Sequence, residues 1–144
     1  MNKKIKIFMG ALAFSCILGT VVQTSFANNH KDTTFDFELY GDGDDTPLNE
    51  TRRKEDNTAT YVKLNSNSDD AYVVVCGTNH SNLRNEPYNH ECGDAGRIYA
   101  GSYRYISNTV YPTYKYAYLR FGRDNRRMNH FVGKWSPDNI SGRY

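Results

Sequence analysis

The chain has 144 residues, with 18 Lys and Arg against 16 Asp and Glu and a formal net charge of +2. Three of those lysines lie within the first six residues, so the rest of the chain carries 15 basic and 16 acidic residues and is close to neutral. Nucleic-acid-binding proteins usually have a clear basic excess that neutralises phosphates, and this balance argues against that class. The 12 tyrosines and the frequent Asn, Gly and Ser residues favour an all-β protein.

The N-terminus has the pattern of a secretory signal peptide. A lysine-rich start precedes an apolar run over residues 7–22, and small residues mark a cleavage site after Ala27. An uncleaved anchor is the alternative, but the run is shorter than the roughly 20 apolar residues of a spanning helix. A lipoprotein acylated at Cys16 is disfavoured because the apolar run continues beyond it. We predict a signal-peptide helix over residues 1–27 and one secreted domain over residues 28–144, with no membrane anchor after cleavage.

Alternation of apolar and polar residues predicts six β-strands in the secreted domain. They span residues 34–40, 58–64, 71–76, 102–106, 113–121 and 130–135. The continuous apolar run of the third strand indicates a central position, and we expect the second and third strands to form a hairpin or meander. The strand spacing predicts a small antiparallel sandwich or barrel of about six to eight strands.

Two polar segments separate the first two strands. Asp42, Asp44 and Asp45 could converge on a calcium ion, but the segment lacks the EF-hand glycine and closing glutamate, so a solvated turn is the favoured interpretation. The charged run over residues 51–57 has no helical apolar stripe, and we expect an exposed loop or edge-strand flank rather than an anion-binding patch.

Cys76 and Cys92 are the only cysteines beyond the signal peptide. An even pair in an exported protein predicts a disulfide. A zinc site that adds His80 and His90 is the alternative, but the spacing fits no standard finger. A catalytic thiol would need a free thiolate and an orienting base, and no Gly-x-Ser-x-Gly, HExxH or phosphate-loop motif is present. We therefore expect no enzyme, no metal site and no cofactor.

In the last third of the chain, the two alternating segments over residues 113–121 and 130–135 predict a β-hairpin. One face of its first strand and the connecting loop combine tyrosine with arginine, at Tyr114, Tyr116, Tyr118, Arg120, Arg123, Arg126 and Arg127. Tyrosine offers flat apolar area with a polar tip, and arginine can hold phosphate or carboxylate in two hydrogen bonds. These residues are the candidate ligand-binding site. The competing interpretation is that the tyrosines pack in the sandwich and the arginines solvate a turn.

Several segments resemble a family of small, exported, uncharacterised proteins of Gram-positive bacteria. The matching residues are Thr51-Arg52-Arg53-Lys54, Thr60-Tyr61-Val62, Tyr118-Leu119-Arg120 and Gly133-Lys134-Trp135-Ser136-Pro137-Asp138. The resemblance implies export and a β-rich domain of unknown function, and it implies no activity.

Two classes of function fit this sequence. The first is a non-enzymatic binding module at the cell surface or outside the cell, with a cell-wall polymer, a glycan or a protein as its partner. The second is a secreted, bacteriocin-like antagonist of neighbouring cells. The near-neutral charge of the secreted domain disfavours the second class, because it removes the electrostatic attraction to anionic membranes.

Overall fold

The structure is a computed structural model that describes residues 29–40, 46–47, 50–83, 90–123 and 127–141. The predicted signal peptide, the acidic loop of Asp42, Asp44 and Asp45, and Arg126 lie outside these ranges. Within the described residues, no helix has the length and apolar character needed to cross a membrane.

The chain forms nine strands and one helical turn in its described part. In order they are β1 (Thr33–Leu39), β2 (Thr46–Pro47), β3 (Arg52–Arg53), β4 (Thr60–Leu64), β5 (Ala71–Thr78), β6 (Gly96–Ile98), β7 (Tyr103–Ile106), α1 (Val110–Thr113), β8 (Tyr116–Arg123) and β9 (Asn129–Ser136). The six predicted strands are confirmed as β1, β4, β5, β7, β8 and β9. The other three have only two or three residues each, too few to show an alternation.

The strands form two antiparallel sheets. Sheet A has the order β1-β9-β4-β7, and sheet B has the order β2-β8-β5-β6 with β3 also paired to β8. One hydrophobic core joins residues of both sheets, such as Phe35 and Val62 of sheet A with Val73 and Leu119 of sheet B. This arrangement confirms the predicted all-β sandwich, and β5, which has β8 and β6 as neighbours, is an internal strand as expected.

The predicted pairing of neighbouring strands is wrong at two places. β8 pairs with β5 in sheet B, whereas β9 pairs with β1 and β4 in sheet A, so the last two strands do not form a hairpin. β4 and β5 are likewise in different sheets. A period of two determines which face of a strand is apolar, but two apolar faces can meet across a sandwich as well as side by side in one sheet.

Aromatic rings from both sheets meet at the centre of the core. Phe121 of β8 lies 5.1 Å from Phe35 and from Phe37 of β1, and 5.5 Å from Phe131 of β9, measured between ring centroids. Edge-to-face and tilted pairs at this distance are worth about 0.5–1.5 kcal/mol each beyond the area that they bury. Phe131 and Trp135, on the inward face of β9, are fully buried in the same core.

Gly133 lets three strands come together in sheet A. A Cβ atom at this position would lie 2.1 Å from the backbone oxygen of Lys63 and 2.7 Å from the ring of Phe35. Backbone cannot move aside as a flexible side chain can, so the pairing of β9 with β4 requires a residue without a Cβ atom.

The segment after β9 is fixed by a buried ion pair. Lys54 Nζ lies 2.8 Å from Asp138 Oδ1, and both side chains are 0% exposed. Of the predicted exposed loop or edge-strand flank over residues 51–57, Arg52–Arg53 forms the short edge strand β3 of sheet B, whereas Lys54 is buried rather than exposed. Lysine is almost never fully buried without a partner, and here Asp138 is that partner.

Substituting Gly133 tests the close approach of β9 and β4. We expect Gly133→Ala to lower the free energy of unfolding by at least about 2 kcal/mol, because the added methyl group must displace backbone. The control is Gly96→Ala in β6, where the new Cβ atom would meet only the flexible end of Arg104 and the expected cost is below about 1 kcal/mol. The midpoints of urea unfolding of the two variants are compared with that of the parent. Equal losses of stability in both variants would contradict the close approach of β9 and β4 at Gly133.

Candidate functional site

The predicted tyrosine face does not form a continuous surface. β8 directs Tyr116, Tyr118 and Arg120 to the outer side of sheet B, but Tyr118 is 0% exposed. Its ring packs in a second hydrophobic cluster with Val74 and Leu83, in which the loop after β5 covers the outer side of the sheet. A buried ring has no area to offer a ligand in this conformation.

The neighbouring tyrosines are also held by packing. β8 starts at Tyr116 rather than near residue 113, so Tyr114 lies outside the strand and packs against the central core. Its hydroxyl group is 3.2 Å from Nδ1 of His90. Tyr116 is half-buried opposite Thr78 of β5 and Arg53 of β3.

The predicted arginines that the structure describes lie in different surroundings. Arg120 forms an ion pair with Glu91 at 2.6 Å, and only 12% of its side chain is exposed. Arg123 is half-buried at the end of β8, and Arg127 is exposed before β9. The structure does not gather the described members of the predicted site around one cavity.

The predicted disulfide is absent, and both cysteines are free thiols. Cys76 is paired with Glu91 across an antiparallel bridge, so Cys92 lies one residue out of register. Because successive residues of a strand point to opposite faces, Cys76 enters the outer cluster with Tyr118 while Cys92 enters the central core. The register therefore separates two cysteines that the sequence spacing would allow to bond.

Burial makes both thiols poor nucleophiles. Loss of hydration raises the pKa of Cys76 to about 12 and also raises the pKa of Cys92 above its usual value. The thiolate is the reactive form, so Cys76 is protonated at neutral pH. Among the described residues, no three His, Cys, Asp or Glu side chains are grouped closely enough to hold a metal ion.

Thiol labelling tests this placement. We expect the folded protein to react with a thiol-specific disulfide reagent at pH 8 at least about a hundredfold more slowly than the protein unfolded in guanidinium, because both thiols are buried and protonated. Two thiols should be counted in residues 28–144 after unfolding without a reductant, and a third where Cys16 is retained. A count of zero in that control would show that the cysteines are bonded and would contradict the structure.

A different set of tyrosines forms an accessible site on the outer side of sheet A. β4 and β7 pair in a register that places Tyr61 directly opposite Tyr105, with Tyr103 on the same face. The ring centroids of Tyr61 lie 5.4 Å from Tyr105 and 5.9 Å from Tyr103. These three residues border a cleft of about 300 Å³, which we call the tyrosine cleft.

Polar groups from both ends of the domain complete the tyrosine cleft. His30 and Asp32 line it from the N-terminal segment, and Ser136, Asn139 and Ser141 line it from the segment after β9. Asp32 is held by Lys134 at 2.5 Å, and the same ammonium group lies 6.0 Å from the centre of the Tyr61 ring. The hydrogen bond to Asp32 raises the pKa of Lys134, so this lysine stays charged at neutral pH.

Tyr61 is the half-buried floor of the cleft, and Tyr103 is its most exposed ring. Burial raises the pKa of the Tyr61 hydroxyl above its usual value of 10, although nearby Lys134 opposes the shift, so the hydroxyl is neutral at physiological pH. Tyr103 is 58% exposed. The cleft thus presents flat apolar rings beside neutral and charged hydrogen-bonding groups.

The family of this chain is known from its sequence. Residues 23–139 match the model of the family DUF2712, whose description is 'protein of unknown function'. The chain belongs to this family. Searches of curated proteins and of solved structures found no match to the chain. The family match confirms the resemblance to an uncharacterised family, and it spans all nine strands of this DUF2712 protein.

The tyrosine cleft is not among the sites that the sequence predicts. Tyr103 and Tyr105 are two residues apart and therefore share one face of their strand, and Tyr61 lies opposite the apolar face of its own strand. The missing information was the long-range pairing of β4 with β7, which brings the three rings of the DUF2712 domain together. Strand alternation carries no information on which strands are neighbours.

His130 provides a titratable group on the same outer face of sheet A. Its Nε2 lies 2.6 Å from Asp36 Oδ1, and this hydrogen bond raises the pKa of His130 above its usual value of 6.5. The pair therefore stabilises the fold fully below that usual value, and the contribution is lost as pH rises through the folded-state pKa.

Histidine NMR titration tests the pair. We expect the His130 ring signals to titrate above pH 6.5 in the parent, and to move toward the ordinary value in Asp36→Asn because the charged acceptor is gone. Asp94→Asn removes an exposed carboxylate before β6 and serves as the control for net charge. An unchanged His130 titration in Asp36→Asn would contradict the assigned contact.

Proposed function

We propose that this DUF2712 protein is an exported, non-enzymatic binding module whose tyrosine cleft recognises a glycan of the bacterial cell surface. The signal-peptide pattern of residues 1–27 supports export, as does the resemblance to exported proteins of Gram-positive bacteria. The secreted domain is near neutral in charge, so we do not expect nucleic acid as a partner.

The observation that carries this proposal is the contact of three tyrosine rings at the edge of a cleft of about 300 Å³. A sugar ring has an apolar C–H face and a polar rim of hydroxyl groups. Tyrosine rings offer flat apolar area to the first, and side chains such as Asp32 and Asn139 offer hydrogen bonds to the second. The volume suits a small ligand or one unit of a polymer.

The non-enzymatic part of the proposal is supported by the state of the strongest nucleophile candidate. Cys76 is fully buried, and its pKa of about 12 leaves the thiol protonated. His130, the histidine with a raised pKa, pairs with Asp36 on the open surface rather than with a nucleophile. Neither group has the geometry of a nucleophile and base.

Co-sedimentation with purified Gram-positive cell walls tests the proposed ligand. We expect the parent protein to pellet with the walls, and Tyr103→Ala to bind at least about fivefold more weakly, since an aromatic ring that anchors a ligand is worth about 1 kcal/mol or more. Tyr103 is exposed on an edge strand, so its substitution should leave the fold intact.

The matched control is Tyr40→Ala. Tyr40 is 64% exposed and follows β1, and it does not line the tyrosine cleft. We expect this variant to pellet like the parent. Equal losses in both variants would show a general effect of tyrosine removal, and failure of the parent to pellet would reject the cell-wall ligand.

A further inference from the structure

The buried contact between Lys54 and Asp138 has the arrangement of reactants for an amide bond. Lys54 Nζ donates hydrogen bonds to the carbonyl oxygens of Thr58 at 2.5 Å and Pro137 at 2.7 Å, and to Asp138 Oδ1 at 2.8 Å. Three donors on one ammonium group are thereby aimed at three acceptors. The nitrogen is held beside a carboxyl group in a site where both side chains are 0% exposed.

The second oxygen of the Asp138 carboxyl group has its own pair of donors. Oδ2 accepts hydrogen bonds from the backbone N–H groups of Asn29 at 3.0 Å and Glu55 at 3.1 Å. Two backbone N–H groups on one oxygen stabilise the negative charge that forms there when a nucleophile adds to the carboxyl carbon. Oδ1, the oxygen that faces Lys54, is then the one that can leave.

A second carboxylate lies beside the pair. Asp56 Oδ1 is 3.9 Å from Lys54 Nζ, and its side chain is 22% exposed. The same oxygen accepts the backbone N–H of Thr58 at 2.8 Å, which fixes it beside the pair. Lys54 thus has an electrophile, Asp138, in contact with its amine nitrogen and a proton carrier, Asp56, 3.9 Å from the same nitrogen.

The backbone on both sides of the pair is independently fixed. The backbone N–H of Lys54 donates to Lys115 O at 3.0 Å, and the backbone N–H of Asn139 donates to the Thr58 hydroxyl at 3.0 Å. Holding two reacting groups together in this way gives effective concentrations on the order of 10⁵–10⁸ M. Exclusion of water also favours the neutral amide over two buried charges.

We propose that Lys54 and Asp138 condense to an intramolecular amide that covalently joins the two sheets. The ammonium group gives one proton to Asp138 Oδ1, which leaves a neutral amine and a carboxylic acid. The nitrogen attacks the carboxyl carbon, and Oδ2 takes the negative charge between the two N–H groups. A second proton passes from the nitrogen through Asp56 to Oδ1, the carbon–Oδ1 bond breaks, and one water molecule leaves. Reactants and products balance without an oxidant or other co-reactant.

The cross-link would connect elements that are far apart in the sequence. Lys54 follows β3 of sheet B, and Asp138 follows β9 of sheet A, 84 residues later. Such a bond would serve the purpose that the absent disulfide cannot serve, because Cys76 and Cys92 point to opposite faces of one sheet. This proposal does not depend on the glycan-binding function.

Mass spectrometry of the full chain tests the proposal. We expect the mass of the purified, denatured protein to be lower by one water molecule than the mass calculated from its sequence, starting at the N-terminal residue that is observed. Trypsin should then release residues 54–63 and 135–143 as one branched peptide, with no cleavage after Lys54. An unshifted intact mass would overturn the proposal. Loss of water with two separate peptides would also overturn it, because a succinimide at an aspartate gives that result.

Two variants assign the roles of the side chains. Lys54→Arg keeps a positive charge but removes the primary amine, and we expect its full sequence mass. Asp56→Asn keeps the amine and the carboxyl group but removes the proton carrier, and we expect a smaller cross-linked fraction at a fixed time after refolding. An unchanged fraction in Asp56→Asn would overturn the role given to Asp56. The mass of the parent protein decides the central claim even where a variant fails to fold.

Discussion

The contact between Lys54 and Asp138 is the interaction on which the arrangement of both ends of the domain depends. Asp138 holds Lys54 through one oxygen and the backbone of Asn29 and Glu55 through the other. Removing one partner of a buried ion pair costs about 3–5 kcal/mol, because the other charge stays buried and unpaired. That is a large share of the roughly 5–15 kcal/mol that stabilises a typical domain. The pair joins the N-terminal segment, the chain after β3 and the chain after β9 at one point.

The sequence predicts the strands of this protein well and their partners poorly. Alternation correctly predicted β4 and β9, because a period of two is a property of the strand itself, and the structure buries Val62, Leu64, Phe131 and Trp135 on their inward faces. The prediction of a hairpin between β8 and β9 was wrong because β8 belongs to sheet B and β9 to sheet A. The prediction of a disulfide was wrong for a related reason. Cys76 is paired with Glu91 rather than Cys92, and a shift of one residue in register reverses the direction of a side chain.

The candidate site also depends on strand pairing that the sequence does not predict. Tyr114, Tyr116 and Tyr118 were expected to share an accessible face, yet Tyr118 is covered by Leu83. One sequence signal pointed to this outcome, because β5 is apolar on both faces and a strand with that pattern is buried on both faces. β8 is paired to β5, and the middle of its outer face, at Tyr118, is buried in the same way. The tyrosine cleft has no comparable local signal, since Tyr61 and Tyr105 lie on strands that meet only through long-range pairing.

The ion pair and the tyrosine cleft are linked through the backbone. Asn29, which donates to Asp138, directly precedes His30 and is followed closely by Asp32, and both of these residues line the cleft. On the opposite side, Asp138 lies between Ser136 and Asn139, which also line it. One buried carboxylate therefore positions the polar walls on both sides of the tyrosine rings. A site whose walls are fixed before binding loses less conformational entropy when a ligand enters, so in the proposed binding function the buried pair would contribute to recognition as well as to stability.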